Sequence, residues 1–243
     1  MTCSSLRDYL NSSHLPSQRR SYSYKLEPIV NHFGKCIGYE CLADTEFLTQ
    51  VERTNLFQFD INSAYYLSSL ISRWFTLVNS QKCMSPFYSK QIFINVERCN
   101  LCNNSLIKEL VILNGFLRRK NIRLVIEITE REFIFCGKCP KIEIGLEVLI
   151  RSGVILAADD YNTSSQDIRE REIVKGLYKF VKIEYEGQES LRSIISEIES
   201  LHQGAKVIIE RVEDKKFIDE INKTLIGSTY YMQGYAFNNI IKI

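Results

Sequence analysis

The sequence predicts an α/β domain built as a (β/α)8 barrel that opens with a hairpin, and three observations carry that expectation. Strand and helix signals alternate through most of the chain. Eight strand signals are counted from Leu26 onward. Polar residues interrupt the apolar runs near the C-terminal ends of different strands, where barrels carry their functional side chains. Alternation alone is compatible with an open parallel sheet as well as a closed barrel; the eightfold count favours closure.

Residues 1–24 are polar, with Ser12-Ser13, Pro16 and Arg19-Arg20, and show no sustained period. They read as a lead-in with one short helix near Leu6 to Leu10, which leaves residues 25–243 as the domain. Leu26 to Val30 is a strand whose Pro28 suits an edge or an end. The Asn31-His32-Phe33-Gly34 turn joins it to a second strand, Cys36 to Leu42, as a hairpin. From Asn55 to Val78, Leu56, Phe59, Tyr66, Leu70, Trp74 and Leu77 recur at helical spacing, as one long helix or two in series with Trp74 in the core. A strand at Gln91 to Val96 precedes a helix at Leu101 to Leu117. That helix ends in Arg118-Arg119-Lys120, where cations complement the helix dipole. Strands follow at Arg123 to Thr129, Val154 to Asp160, Phe180 to Glu184, Lys206 to Arg211 and Thr229 to Gly234. Helices lie between them at Ile142 to Arg151, near Gln166 to Lys175, at Glu189 to His202 and at Asp214 to Leu225.

The chain has 243 residues, 45% hydrophobic and 25% charged, which is ordinary for a globular protein. Its formal net charge of +2 gives no global signal for a nucleic-acid or membrane surface, so an anionic partner needs a local site. No apolar run approaches the ~20 residues that span a bilayer, and the N-terminus lacks the apolar core of a secretory signal. The expectation is a cytoplasmic protein. Eight cysteines then read as buried thiols or metal ligands rather than disulfides. Cys99/Cys102 and Cys136/Cys139 form two C-x-x-C pairs that could share a structural zinc.

One strand is unusual at its end. The apolar run Val154 to Ala158 leads into Asp159-Asp160, two adjacent carboxylates that repel unless a cation offsets them or the next helix uses them as a cap. Elsewhere, Glu40, Asn95, Glu127, Lys182, Glu210 and Gln233 stand in or at the ends of apolar runs. Burying such groups is costly unless they are paired or hold a metal. Carboxylates with an Asn amide suit Mg²⁺ or Mn²⁺ rather than zinc or copper. Adjacent aspartates point to a two-metal site that activates water against a phosphodiester, with Lys182 orienting that water or neutralising charge on phosphate.

These residues stand in motifs that resemble those of the EAL-domain phosphodiesterases, which hydrolyse cyclic di-GMP to linear pGpG. Glu40-Cys41-Leu42 resembles Glu-Ala-Leu and follows Glu27-Pro28-Ile29-Val30. Asn95 lies in an Ile-Asn-Val context, and Ile126-Glu127-Ile128-Thr129-Glu130 resembles Leu-Glu-Leu-Thr-Glu. Asp159-Asp160-Tyr161-Asn162-Thr163 is similar to Asp-Asp-Phe-Gly-Thr, and Val181-Lys182-Ile183-Glu184 to Val-Lys-Ile-Asp. Glu210-Arg211-Val212-Glu213 and Gln233-Gly234-Tyr235-Ala236-Phe237 complete an ordered set over about residues 25 to 239. The resemblance implies a TIM-type barrel with an antiparallel first strand. It also implies that Glu40, Asn95, Glu127 and Asp159 bind one Mg²⁺ or Mn²⁺, with Asp160 shared toward a second. Lys182 and Glu210 would position and activate water, Gln233 would support the site, and Glu130 would order a closing loop.

The resemblance further implies a homodimer. At the substrate contacts the chain departs from the family. Asp44 stands where an Arg is usual and would repel an anionic ligand unless Arg53 or Arg98 substitutes. Glu27 replaces a guanine-contacting Gln, Asn162 and Ser164 replace glycines, Glu184 replaces Asp, and Ile240 replaces a late proline. The alternative is a protein without turnover that regulates motility or biofilm genes by binding a protein partner.

Overall fold

A computed structural model of the chain describes residues 22–57, 63–80, 84–129, 139–161, 169–202, 204–237 and 240–243. The hairpin is present: β1 (Tyr24–Asn31) pairs antiparallel with β2 (Cys36–Ala43), and Asn31 Oδ1 accepts from the Phe33 and Lys35 N–H groups to hold the turn. Then β3 (Gln91–Glu97), β4 (Arg123–Thr129), β5 (Ile155–Ala158), β6 (Phe180–Glu184), β7 (Lys206–Glu210) and β8 (Tyr230–Gln233) add in sequence order, each parallel to the one before. The sheet closes because β1 also pairs antiparallel with β8. The expected barrel with an antiparallel first strand is therefore the observed fold.

Helices α1 (Gln50–Asn55), α2 (Ala64–Asn79), α3 (Asn104–Arg118), α4 (Pro140–Arg151), α5 (Glu170–Val174), α6 (Gln188–Leu201) and α7 (Lys215–Thr224) lie in the connections. The helical stripe read from Asn55 onward belongs mostly to α2, whose Tyr66, Leu67, Leu70, Ile71, Trp74 and Val78 are buried. Phe59 lies outside the described residues, as does the segment near Leu6 to Leu10. Helix α1 starts with a capping box: Thr49 accepts from the Glu52 N–H, and the Glu52 carboxylate accepts from the Thr49 N–H. Among the described residues no helix is long and apolar enough to cross a membrane.

Two features differ from the expectation. Pro28 is on neither an edge nor an end; it sits inside β1, between two partners. On that flank β1 meets β8 through Ile29–Asn31 and a short strand, β9 (Ile241–Lys242), through Lys25–Leu26. Glu27 and Pro28 fall in the gap between those pairings, so the missing Pro28 N–H removes no ladder bond. The second difference is β9 itself, which backbone hydrogen bonds between Tyr24 and Ile243 hold in both directions.

The barrel has two apolar regions. The larger packs the helices onto the outside of the sheet, around Leu26, Trp74, Ile94, Ile126, Leu149 and Ile209. The smaller fills the inside: Ile29, Phe93, Val125, Ala157, Phe180, Ile208 and Tyr231, with Phe93 and Phe180 edge-to-face at 5.4 Å. Side chains two apart on a strand share a face. The inward residues one step toward the C-terminal mouth are therefore Asn95, Glu127, Asp159, Lys182, Glu210 and Gln233. On antiparallel β1 the step from Ile29 runs backward to Glu27, directly opposite Glu40. An aromatic and aliphatic floor thus carries a polar layer.

Candidate active site

Lys182 is the centre of that layer. It is 1% exposed, and its Nζ lies 3.0 Å from Glu40, 3.0 Å from Glu127, 3.3 Å from Asp159 and 2.8 Å from Glu210. An ammonium has three N–H donors, so four carboxylates outnumber what one lysine can satisfy. Burial would lower the Lys182 pKa, but those carboxylates hold it well above the ordinary lysine value, and the side chain stays charged. The acids respond unequally. Burial acts to raise Glu40, yet the Lys182 ammonium and hydrogen bonds from Gln233, Lys182 and Asn95 hold it below the usual range. Burial and the Glu40 charge push Glu127 well up, against the pull of Lys182. Burial also raises Glu210 and Asp159 despite Lys182, and burial plus Glu40 raises Glu27. A layer that prefers protons on several carboxylates is short of positive charge.

The orientation of Asn95 agrees. Its Nδ2 donates to Glu40 Oε1 at 2.6 Å, which leaves Oδ1 buried with no hydrogen-bond partner. A buried, orphaned amide oxygen beside carboxylates fits a hard divalent cation. Glu40, Glu127 and Asp159 stand around the Lys182 ammonium in the same layer. Asp159, Asp160 and Glu210 converge more closely, each offering a carboxylate oxygen within 4.8 Å of the others. This grouping joins Glu210 to the aspartate pair, at the mouth where the strand-end pattern places all three. Among the described residues it is the only such cluster of three or more metal-donor side chains. Cys99, Cys102 and Cys139 form none, and Cys102 instead donates its thiol to the Cys99 carbonyl. Cys136 lies outside the described residues, as do Glu130, Asn162 and Ser164.

Backbone turns aim these ligands. Asp160 and Arg211 have positive φ, 45° and 56°, immediately after Asp159 and Glu210. Non-glycine residues adopt that conformation at a cost that is met where surrounding structure dictates it. Arg169 helps at the first turn by donating to the Ile128 and Asp159 carbonyls. Gly234 does so after Gln233: its φ is 148°, and a Cβ there would lie 2.4 Å from the Val212 carbonyl oxygen. Gln233 in turn donates to Glu40. Gly234→Ala is expected to lower the thermal midpoint by several degrees and weaken metal binding by displacing Gln233, with strain of about 1–3 kcal/mol. An unchanged melting curve would contradict the tight approach.

The other expected contact residues are spread around the mouth. Glu184 pairs with Arg211 at 2.7 Å and Glu213 is exposed. Asp44 is not an isolated negative charge. Its side chain is 6% exposed, its Oδ1 accepts from the Glu46 N–H, and it pairs with Lys242 of β9 at 3.5 Å. Arg53 donates to the Leu48 carbonyl, and Arg98 is buried against Glu172 at 2.6 Å. Lys242 is the cation beside Asp44, and no periodic signal in the sequence marks it.

No family model matches the chain, and neither does any curated protein sequence. Solved structures do. An EAL domain protein from Listeria monocytogenes aligns over 99% of this chain and 94% of its own, with TM-score 0.61 at 18% identity. The PaMucR phosphodiesterase in complex with c-di-GMP aligns over 91% and 97%, with TM-score 0.61 at 18% identity. Klebsiella pneumoniae BlrP1 with manganese and cy-diGMP aligns over 92% of this chain and 56% of its own, with TM-score 0.60 at 21% identity. Closed barrel, antiparallel first strand and ordered motifs agree: the chain has the fold of EAL-domain proteins.

Proposed function

We propose that the protein is a metal-dependent phosphodiesterase that hydrolyses cyclic di-GMP to linear pGpG. The observation that carries the reading is the polar layer, where three buried carboxylates, a half-buried fourth and an orphaned amide oxygen surround one ammonium. Glu40, Asn95, Glu127 and Asp159 would hold one Mg²⁺ or Mn²⁺, and Asp159, Asp160 and Glu210 a second. When bound, such a pair supplies a water of lowered pKa and charge neutralisation at the phosphoryl oxygens. The chain's own residues set the geometry. Lys182 stays cationic beside Glu210 and is placed to orient the nucleophilic water or to balance charge on phosphate. Glu210 lies 2.8 Å from that ammonium and would take the proton from the attacking water. Gln233 and Asn95 hold the Glu40 carboxylate from two sides.

A cytoplasmic homodimer that lowers messenger levels, and thereby affects motility and biofilm formation, belongs to the same proposal. The alternative, partner binding without turnover, draws support from the negative charge of Asp44, which Lys242 beside it offsets.

The test is to incubate the protein with cyclic di-GMP and Mn²⁺ or Mg²⁺ and follow pGpG by chromatography. Turnover is expected for the wild type and its loss for Glu40→Ala. Absence of both turnover and ligand binding at high protein concentration would overturn the reading.

A further inference from the structure

Beyond the acid layer, β9 adds a cationic rim that no motif marks. Residues directly opposite in antiparallel strands present their side chains on one face, and Lys242 is opposite Lys25. Lys25 is two residues from Glu27, so it shares the inward face of β1, roughly 7 Å nearer the mouth. The field of Lys25 reaches the Glu27 carboxyl. Up this wall of the barrel run Ile29 of the floor, Glu27 of the acid layer, and then two lysines. Lys242 is 49% exposed and is held by Asp44 and Glu46. Its Nζ also lies 4.8 Å from the centre of the Phe47 ring, which is 83% exposed.

We propose that Lys242, with Lys25 beside it, is a specificity-determining contact for a phosphate of the ligand outside the polar layer, with Phe47 offering a face to a neighbouring base. The inference rests on the phosphodiesterase reading and deepens it. A cyclic dinucleotide carries two phosphodiesters, and only one can be at the acid layer. The other needs a cation at a mouth where, among the described residues, Glu27, Asp44, Glu46 and Glu213 are acidic and Arg211 is paired with Glu184. Lys242 is half in solvent and held by the Asp44 and Glu46 carboxylates, an arrangement that fixes an ammonium without exhausting its three donors. An exposed aromatic next to a cation is also what base stacking beside a phosphate requires.

The experiment is calorimetric titration of cyclic di-GMP in calcium buffer into wild type, Lys242→Met, Lys242→Arg, Asp44→Asn and Lys223→Met, with KM and kcat measured in Mn²⁺. Lys223, exposed in the last turn of α7 and so at the opposite end of the barrel, controls for overall charge. Lys242→Met is expected to bind about tenfold more weakly, with a matching rise in KM and kcat within about twofold. Lys242→Arg should retain most of the affinity. Asp44→Asn keeps the acceptor for the Glu46 N–H but drops the charge, and should bind about threefold more tightly. Wild-type affinity in Lys242→Met, or equal loss in Lys223→Met, would overturn the rim. Absence of wild-type binding would remove the phosphodiesterase reading and the rim built on it together, whereas binding indifferent to Lys242 removes the rim alone.

Discussion

Glu127→Gln is expected to make the metal-free protein more stable while weakening its hold on Mn²⁺ by at least about tenfold. Glu127 is fully buried, and burial together with Glu40 raises its pKa well above the carboxylate range. Ionised, it adds a fourth negative charge around one ammonium. The amide keeps an oxygen acceptor for Lys182 and removes that charge. Removing one of four like charges around a single ammonium relieves their mutual repulsion while three partners remain, so the melting midpoint is expected to rise, at roughly 2–4 °C per kcal/mol for a chain of this size.

The pH dependence has a definite sign. For carboxylates whose folded pKa is raised, the unfolded chain loses its protons first, so stability falls as pH rises from about 4 through the folded values. Metal-free wild type should therefore lose stability over that interval, and Glu127→Gln should show a shallower loss. Added Mn²⁺, which competes with the same protons, should raise the wild-type midpoint more at pH 8 than at pH 5.5. Thermal melts in chelator and in Mn²⁺ across this range decide it. A Glu127→Gln protein less stable than wild type in chelator would show that the layer is not short of positive charge.

Lys182→Met is the opposite experiment, and its predicted effect is the larger. It removes the ammonium that Glu40, Glu127, Asp159 and Glu210 approach within 3.3 Å. Breaking a buried charge cluster by deleting one partner typically costs about 3–5 kcal/mol. In chelator the midpoint should fall by about 10 °C or more, and Mn²⁺ should restore a substantial part by supplying charge to the same oxygens. Catalysis should fall by at least about a hundredfold even at saturating Mn²⁺, because the loaded cation does not replace a positioned donor. A midpoint in chelator equal to wild type would mean that the carboxylates are neutralised by protons alone.

How much of this was legible before the fold was known depended on the kind of signal each residue carries. The strands Arg123–Thr129 and Phe180–Glu184 have the bounds expected of them. A single ionisable residue in an apolar run is both a sharp strand marker and a functional one, and Glu127 and Lys182 are such residues. The polar layer was legible for the same reason: closure makes residues two beyond each floor side chain neighbours, whatever their separation in sequence. Helix α1 was missed although it carried a signal, since Thr49 and Glu52 have the spacing of a capping box. β9 carried none. Two residues are too few for a period, and its place depends on the free flank of β1 that Pro28 leaves beside it. Lys242 and its pairing with Asp44 are therefore invisible in the sequence. The resemblance assigns Glu210 to water, and the strand-end pattern places it at the same mouth as Asp159 without saying which neighbour it meets. Only the closed ring shows that the two carboxylates converge.

The inner plug of Phe93, Phe180, Ile208 and Tyr231 has a kinetic corollary. It seals the barrel below the carboxylates, so ions, water, ligand and product share a single doorway. On the phosphodiesterase reading, a bulky dinucleotide seated there would act as a cork. Metal would then have to load before the dinucleotide and leave after the product. A site with one entrance would thereby impose an order of arrivals and departures on the turnover cycle.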